Sequence, residues 1–392
     1  INIEQVRNDM NSKIISIYNK KLSAITNQSQ KRHIVTTIRK NNSVVTRNKK
    51  DLISFSCNDY LGLSQNTEVI EAGIKAIKKY GTGSGASRLV SGNNFLYEKL
   101  EYLLASFKNG EAACVFGSGY LTNTGIIPSL TSNKDLVLFD ELSHSSTNIG
   151  IKLSSSKSIK FRHNDMNHVE ELLKRHRRKY MSCFLLTEGV FSMDGDRGKI
   201  KELSYLSDKY DASIILDDAH GFGVLGDGKG SQYELNPIPE VLVQMGTLSK
   251  AIGSYGGFIV APKTIVDLLH NKARSLIYTT ALPPSILASA IKSLEIIERK
   301  KSLVKKPYNN AKLFCKLAGL PNPESSIVTI ILKSENKAIN ASKLLEKNGY
   351  YISAIRPPTV PKNTSRLRLT FSASHKKKDI ISLSKLIRSL NF

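Results

Sequence analysis

No run of this sequence stays apolar for the roughly 18 residues that a membrane-crossing helix requires. Residues 1–21 mix acids, amides and lysines where an export signal needs an apolar centre. These absences argue against an embedded or exported protein, and a cytoplasmic one is expected. The sequence opens on Ile1 rather than Met, which leaves room for residues upstream. Cysteine is scarce: Cys57, Cys114, Cys183 and Cys315 stand far apart, with neither a C-x-x-C pair nor metal-ligand spacing. Reduced thiols are expected and no metal site. Acids are scarce too, 33 against 57 basic residues, for a net charge of +24. A nucleic-acid-binding protein would gather such charge into a patch interleaved with aromatics. Here it is spread along the chain, and the tightest runs (174–179, 299–306 and 376–378) fall on polar stretches with a helical pattern. They read as solvated helix faces, with attraction of an anionic substrate or an acidic carrier as a secondary effect. Neither nucleic acid nor a membrane is an expected partner.

What the sequence does hold is 392 residues, 40% of them hydrophobic, enough for a large core and more than one domain. Ile3, Val6, Met10, Ile14 and Tyr18 recur at helical spacing and predict an opening amphipathic helix. Val44-Val45 and residues 52–55 flank the turn signal Arg47-Asn48-Lys49 and predict a β-hairpin. Two helices follow. The first is capped by Thr67, carries Val69, Ile70, Ile74 and Ile77, and ends in Lys78-Lys79 before Gly81. The second carries Leu96, Leu100, Leu103, Leu104 and Phe107 and stops at Gly110. Between them, residues 81–88 (Gly-Thr-Gly-Ser-Gly-Ala-Ser-Arg) are too rich in glycine for helix or strand and lack the Gly-Lys-Ser/Thr ending of a nucleotide-binding P-loop.

From Ala112 onward, short apolar runs at 113–116, 136–139, 183–187, 213–216, 241–243 and 258–260 alternate with helical segments such as 169–173 and 203–210. Continuous β-rich runs of that length predict a mostly parallel sheet covered by helices on both faces, an α/β fold. A smaller α+β region follows the long helix after Pro283-Pro284, with strands at 327–332, 351–354 and 366–371 and helices at 338–347 and 379–390. The expected division is an N-terminal arm over 1–50, a large domain over 51–290 and a small C-terminal domain over 291–392.

Polar signals cluster just after the predicted strands, where open α/β sheets bind ligands. Phe116-Gly117-Ser118-Gly119-Tyr120 leads into a helix and is either an anion site of backbone amides or a plain strand-to-helix turn. Ser143-His144 is either a loop histidine or one that stacks on a ring. Residues 188–196 bring a carboxylate and the hydroxyl of Ser192 to the same edge. Asp217 and His220 end another strand, and a carboxylate fixed there suits a pyridine-type cofactor, whose ring nitrogen it keeps protonated. Residues 221–226 match G-x-G-x-x-G by letter but run into the turn Asp227-Gly228, so no dinucleotide fingerprint is read there. Finally, Gly246-Thr247-Leu248-Ser249-Lys250 precedes a glycine-rich turn. Lys250 is either a solvated loop lysine or an amine placed to form a Schiff base with a carbonyl compound. Taken together, these strand-end groups describe a pyridoxal 5′-phosphate site.

With residues 278–284 (Tyr-Thr-Thr-Ala-Leu-Pro-Pro) added, these motifs resemble the α-oxoamine synthases, pyridoxal-phosphate enzymes of the aspartate-aminotransferase fold, over nearly the whole chain from Leu52. The resemblance implies that Lys250 forms the Schiff base, Asp217 serves the ring nitrogen, His220 the ring oxygen, and His144 stacks on the ring. It implies that Gly119, Tyr120, Ser192 and Thr247 complete the pocket, and that Thr279 or Thr280 reaches the phosphate of a partner subunit in a homodimer whose sites lie at the interface. Arg368 would pair with the amino-acid carboxylate, Thr359 would touch substrate, and Arg32 would lie near the acyl substrate. Tyr97 stands where relatives often carry histidine. Residues 354–361 and 366–370 are most similar to the members that join L-alanine to a pimeloyl thioester borne on coenzyme A or an acyl carrier protein. Members that use glycine with acetyl or succinyl thioesters share every cofactor residue.

Overall fold

The computed structural model describes residues 3–28, 30–40 and 43–390, with side chains from Ser12 onward. The chain divides into two compact units, one of residues 1–56, 329–369 and 390–392 and the other of residues 57–328 and 370–389. The boundary therefore falls at 56/57 and 328/329 rather than at the expected 50/51 and 290/291. The reason lies in α10 (Pro284–Arg299), whose Leu287, Ala290, Ile291, Leu294 and Ile297 enter the core of the larger unit.

In the smaller unit, α1 (Ile3–Asn27) carries the expected helical period, but all its described side chains are exposed, Ile14 and Tyr18 included. The strands β1 (Thr37–Arg39), β2 (Val44–Arg47) and β3 (Lys50–Ser54) follow. The predicted hairpin closes at Arg47 and Lys50, and its turn residues Asn48 and Lys49 adopt φ of 47° and 61°, the double left-handed turn that matches strand twist.

The larger unit begins its helices with α2 (Thr67–Tyr80), whose cap is Asn66 rather than Thr67. The Asn66 Oδ1 accepts from the backbone N–H groups of Glu68 and Val69, the office expected of the threonine. Next come α3 (Phe95–Phe107), β4 (Ala112–Phe116), α4 (Gly119–Leu130), β5 (Asp135–Asp140), α5 (Ser145–Leu153), β6 (Lys157–Phe161), α6 (Met166–His176), β7 (Ser182–Glu188), α7 (Ile200–Lys209), β8 (Ser213–Asp217), β9 (Val243–Thr247) and β10 (Gly257–Ala261). Together these strands form one seven-stranded sheet in the order β4-β10-β9-β8-β7-β5-β6. Its neighbours pair parallel except at β10, which runs antiparallel to both β4 and β9. Apolar side chains cover both faces, with Leu185, Leu216 and Leu138 on one and Ile215, Val137 and Ile259 on the other. After β10 come α8 (Lys263–Lys272), α9 (Arg274–Ile277), α10 and α11 (Lys301–Ala318), so the long helix expected beyond Pro284 is two helices, joined at Lys300.

Thereafter β11 (Ile327–Lys333), α12 (Glu335–Lys347), β12 (Tyr350–Tyr351), β13 (Ser353–Ile355), β14 (Ser365–Thr370) and α13 (Lys377–Ser389) complete the chain. Strand β12 adds in parallel to β3 in a four-stranded sheet, and β11, β14 and β13 make a three-stranded one. Among the described residues no helix is long and apolar enough to cross a membrane, and no group of histidines, cysteines and acids could hold a metal ion.

Candidate active site

The carboxyl ends of β5, β7, β8 and β9 lie side by side, and each delivers a polar group. Asp217 is the last residue of β8, and its Oδ1 accepts from the N–H of Ala219 at 3.1 Å as the chain turns away. Three residues later, buried His220 stands between two partners: its Nδ1 is 2.7 Å from the Tyr60 hydroxyl and its Nε2 is 2.9 Å from the Lys250 amine. Lys250 follows β9 in a turn closed by the Gly253 N–H on the Lys250 carbonyl at 2.9 Å. Gly253 has φ of 69°, and a Cβ there would come within 2.3 Å of the Ser64 backbone nitrogen, so this turn admits only glycine.

His144 caps α5, with its Nδ1 accepting the Ser146 N–H at 3.2 Å, while the side chain stays exposed. The protein packed around its ring and, less strongly, the charge of Lys250 lower its pKa against the pull of Asp217. The lowered pKa favours the neutral imidazole. At the end of β7, Glu188 is buried and accepts the His144 N–H at 2.5 Å.

The turn from β4 into α4 is capped by Ser118, whose Oγ accepts the Leu121 N–H, and leaves Gly119 and exposed Tyr120 at the helix start. Strand β10 passes so close that a Cβ on Gly257 would lie 2.7 Å from the Gly119 nitrogen. A Cβ on Gly119 would itself lie 3.5 Å from Thr247, whose hydroxyl donates to the Gly256 carbonyl and is joined to that of Ser249 at 2.8 Å. Thr279 lies beside Gly117, but its hydroxyl donates to the Ser275 carbonyl; Thr280 is exposed and bridges to Ser87. Ser192 is buried in the loop after β7. In the smaller unit, Arg32 donates to the Thr359 hydroxyl at 2.9 Å, and Arg368 is buried in β14 opposite Ser353.

Tyr60 and Asn123 belong to no motif of the sequence, yet the Tyr60 hydroxyl meets His220 and Asn123 donates to Asp217 Oδ2 at 2.7 Å. The available signal was an amide among the inward positions of a helix, beside Thr122, Gly125, Ile126, Ile127 and Ser129. Tyr97 is a buried anchor: its hydroxyl accepts the Leu282 N–H at 2.6 Å, and the Arg88 guanidinium lies over its ring.

A pyridoxal phosphate needs a carboxylate for its ring nitrogen, an amine for its aldehyde, a flat contact for its ring and donors for its phosphate. Asp217, Lys250, the exposed His144 and the glycine-framed start of α4 match these needs in kind, within one unit and on one sheet edge. The residues present fit the group.

The family described as aminotransferase class I and II matches residues 50–386. The chain is 49% identical to an 8-amino-7-oxononanoate synthase of Methylocella silvestris over 346 residues, 88% of this chain and 99% of that one. Among solved structures it is similar to a serine palmitoyltransferase from S. paucimobilis with a bound PLP–myriocin adduct, at a TM-score of 0.87 and 27% identity over 96% of this chain and 97% of that one. It is also similar to an 8-amino-7-oxononanoate synthase from Francisella tularensis, at 0.73 and 29% over 87% and 97% of the two chains.

Proposed function

Because this chain belongs to the aminotransferase class I and II family of pyridoxal-phosphate enzymes, we propose that it condenses L-alanine with a pimeloyl thioester to give 8-amino-7-oxononanoate, carbon dioxide and free thiol, in biotin biosynthesis. One observation carries the chemistry: the Lys250 amine stands 2.9 Å from His220 Nε2, three residues along the chain from the strand-end carboxylate Asp217. The choice of substrates is supported by the name of the relatives that match most of the chain.

When bound, pyridoxal phosphate supplies an electron sink conjugated to the amino-acid α-carbon. The protein supplies the rest. Asp217 holds the proton on the ring nitrogen, and His220 donates to the ring oxygen. Lys250, whose amine would hold the cofactor, would take the α-proton of alanine; the α-carbon would then displace the thiol at the thioester carbonyl, and after carbon dioxide has left Lys250 would return a proton to the same carbon. His144 packs against the ring, and Gly119, Tyr120, Ser192 and Thr247 enclose the cofactor. Thr280, exposed where the Thr279 hydroxyl is engaged, is assigned to the phosphate held by the second copy in a homodimer. From the resemblance alone, Arg368 is assigned to the alanine carboxylate, a bidentate task suited to arginine, with Thr359 and Arg32 assigned to the acyl substrate. The positive charge of the chain suits coenzyme A or an acidic acyl carrier protein equally.

The test is turnover of L-alanine and of glycine with pimeloyl, acetyl and succinyl thioesters. Alanine with the pimeloyl thioester is expected to be the productive pair; product from glycine alone would overturn the assignment. Borohydride reduction is expected to fix the cofactor on Lys250, and Lys250→Ala is expected to fold and bind it without that link.

A further inference from the structure

Asn123 has no part in the reading above, yet three pieces of the site meet at its side chain. It sits in the second turn of α4 and is 2% exposed. Its Nδ2 donates to Asp217 Oδ2 at 2.7 Å and to Ser146 Oγ at 3.0 Å, with Thr147 Oγ1 further off at 3.3 Å. The orientation is fixed by chemistry, because a carboxylate oxygen accepts and would repel the amide oxygen. An amide nitrogen has two hydrogens, and the two shorter bonds use both. The Ser146 hydroxyl, accepting from Asn123, has its own hydrogen for Nδ1 of His144, 2.7 Å away. One hydrogen-bonded line therefore runs from Asp217 through Asn123 and Ser146 to His144.

We propose that Asn123 is a positioning residue for the cofactor, a single amide that sets the angle of the Asp217 carboxylate toward the ring nitrogen and, through Ser146, the tilt of the His144 ring. The inference rests on the proposed roles of Asp217 and His144. Two facts support it. The carboxylate of Asp217 is also held by the Ala219 N–H, so its two oxygens are engaged from different sides and its plane is defined. On the neighbouring strand, burial first and the charge of Asp217 second push the Glu188 carboxyl well up, while it is Asp217 that accepts from the Asn123 amide.

The test uses the full chain. Pyridoxal phosphate affinity, the induced circular dichroism of its visible band, and the thermal midpoint without cofactor are measured for wild type, Asn123→Ala, Ser146→Ala, Asp217→Ala and the Asn123→Ala/Asp217→Ala double variant. Asn123→Ala is expected to weaken cofactor binding on the order of 10- to 100-fold, the usual effect of deleting a bond to a charged group, and to alter the visible dichroism. Ser146→Ala is expected to alter the dichroism with a smaller loss of affinity. On the Asp217→Ala background the asparagine change is expected to add less than about twofold, since partners in one network do not add. A folded Asn123→Ala with unchanged affinity and dichroism overturns the inference, as does full additivity with Asp217→Ala. If Asn123→Ala does not fold, Ser146→Ala decides, and an unaltered spectrum there overturns it. A wild type that binds no cofactor sinks the proposed function instead, which keeps the two failures distinct.

Discussion

Glu188 and Asp217 are cross-strand partners at the carboxyl ends of β7 and β8, two acids in register on one sheet edge. They are not equivalent. Burial, reinforced by the charge of Asp217, pushes the Glu188 carboxyl well above its ordinary 4.5, against the pull of the His144 N–H and Lys250. Burial therefore favours the protonated form of Glu188, while Asp217 is the acid that accepts from the Asn123 amide.

Glutamine is the neutral counterpart of a protonated glutamic acid and keeps the acceptor for the His144 N–H. Glu188→Gln is expected to change cofactor affinity by less than about threefold, whereas Asp217→Asn weakens it by more than about tenfold. A raised carboxyl in the folded state binds more protons than the unfolded chain above pH 4.5, so it lowers stability as pH rises. The thermal midpoint of Glu188→Gln should therefore gain on wild type as pH rises above about 4.5. A difference that stays constant as pH rises would show that the Glu188 carboxyl titrates in the fold as it does in the unfolded chain.

His163 is gripped by Asp140 Oδ1 at 2.9 Å and Asp196 Oδ2 at 2.7 Å, and its ring meets Phe191 edge-on. Burial opposes its charge, but the two carboxylates prevail and raise its pKa from 6.5 to about 10. The stability it contributes is fully present below 6.5 and is lost as pH rises through about 10. His163→Gln leaves Asp140 buried without its cation and is expected to lose about 3 kcal/mol near neutral pH. Urea unfolding should show the deficit shrinking toward pH 10; a constant deficit would mean that packing on Phe191, not charge, is responsible.

Lys108 and Asp218 form a second buried pair, facing each other across the space where Gly230 lacks a side chain. Burial lowers the Lys108 pKa to about 8 and raises that of Asp218 to about 6, each drawn back by the other's charge. The Lys108 amine donates to the Lys229 carbonyl, and Asp218 accepts from the N–H and the hydroxyl of Ser231. Lys108→Met removes the cation and is expected to destabilise the fold by about 3 kcal/mol. The remaining lone carboxyl should protonate at higher pH than in wild type, so the deficit is larger at about pH 8 than at about pH 5. Equal deficits at both would refute an electrostatic origin.

Much of the larger unit was legible because a strand buried on both faces leaves a continuous apolar run, as at β7 and β8. Strand β6 was not, because it is the edge of the sheet and its Lys157 and Lys160 break the run. The reversal of β10 left no mark, since an apolar run reads alike in either direction. The positions of Lys250, Asp217, His220 and His144 stood out because strand ends in a parallel sheet share one edge. Tyr60 and Asn123 did not, because their partners His220 and Asp217 are 160 and 94 residues away in sequence, and only the folded backbone brings them together.

Tyr60 gives the sharpest single-atom test of that long-range geometry. Tyr60 is 1% exposed, its hydroxyl sits 2.7 Å from Nδ1 of His220, and the opposite ring nitrogen faces Lys250. An imidazole bonded at one nitrogen has its other nitrogen aimed and its tautomer chosen. If the hydroxyl donates to Nδ1, the His220 proton lies on Nε2, the side toward Lys250 and the proposed ring oxygen. Tyr60→Phe keeps the ring in the core and deletes this bond. Thermal stability is expected to fall by about 1–2 kcal/mol, while turnover falls about tenfold or more because His220 loses its preferred tautomer. The visible spectrum of the bound cofactor should shift its pH dependence, since the hydrogen bond to the ring oxygen is weakened. A Tyr60→Phe variant with wild-type turnover and an unshifted pH profile would show that Tyr60 only fills the core and that His220 is oriented by other contacts.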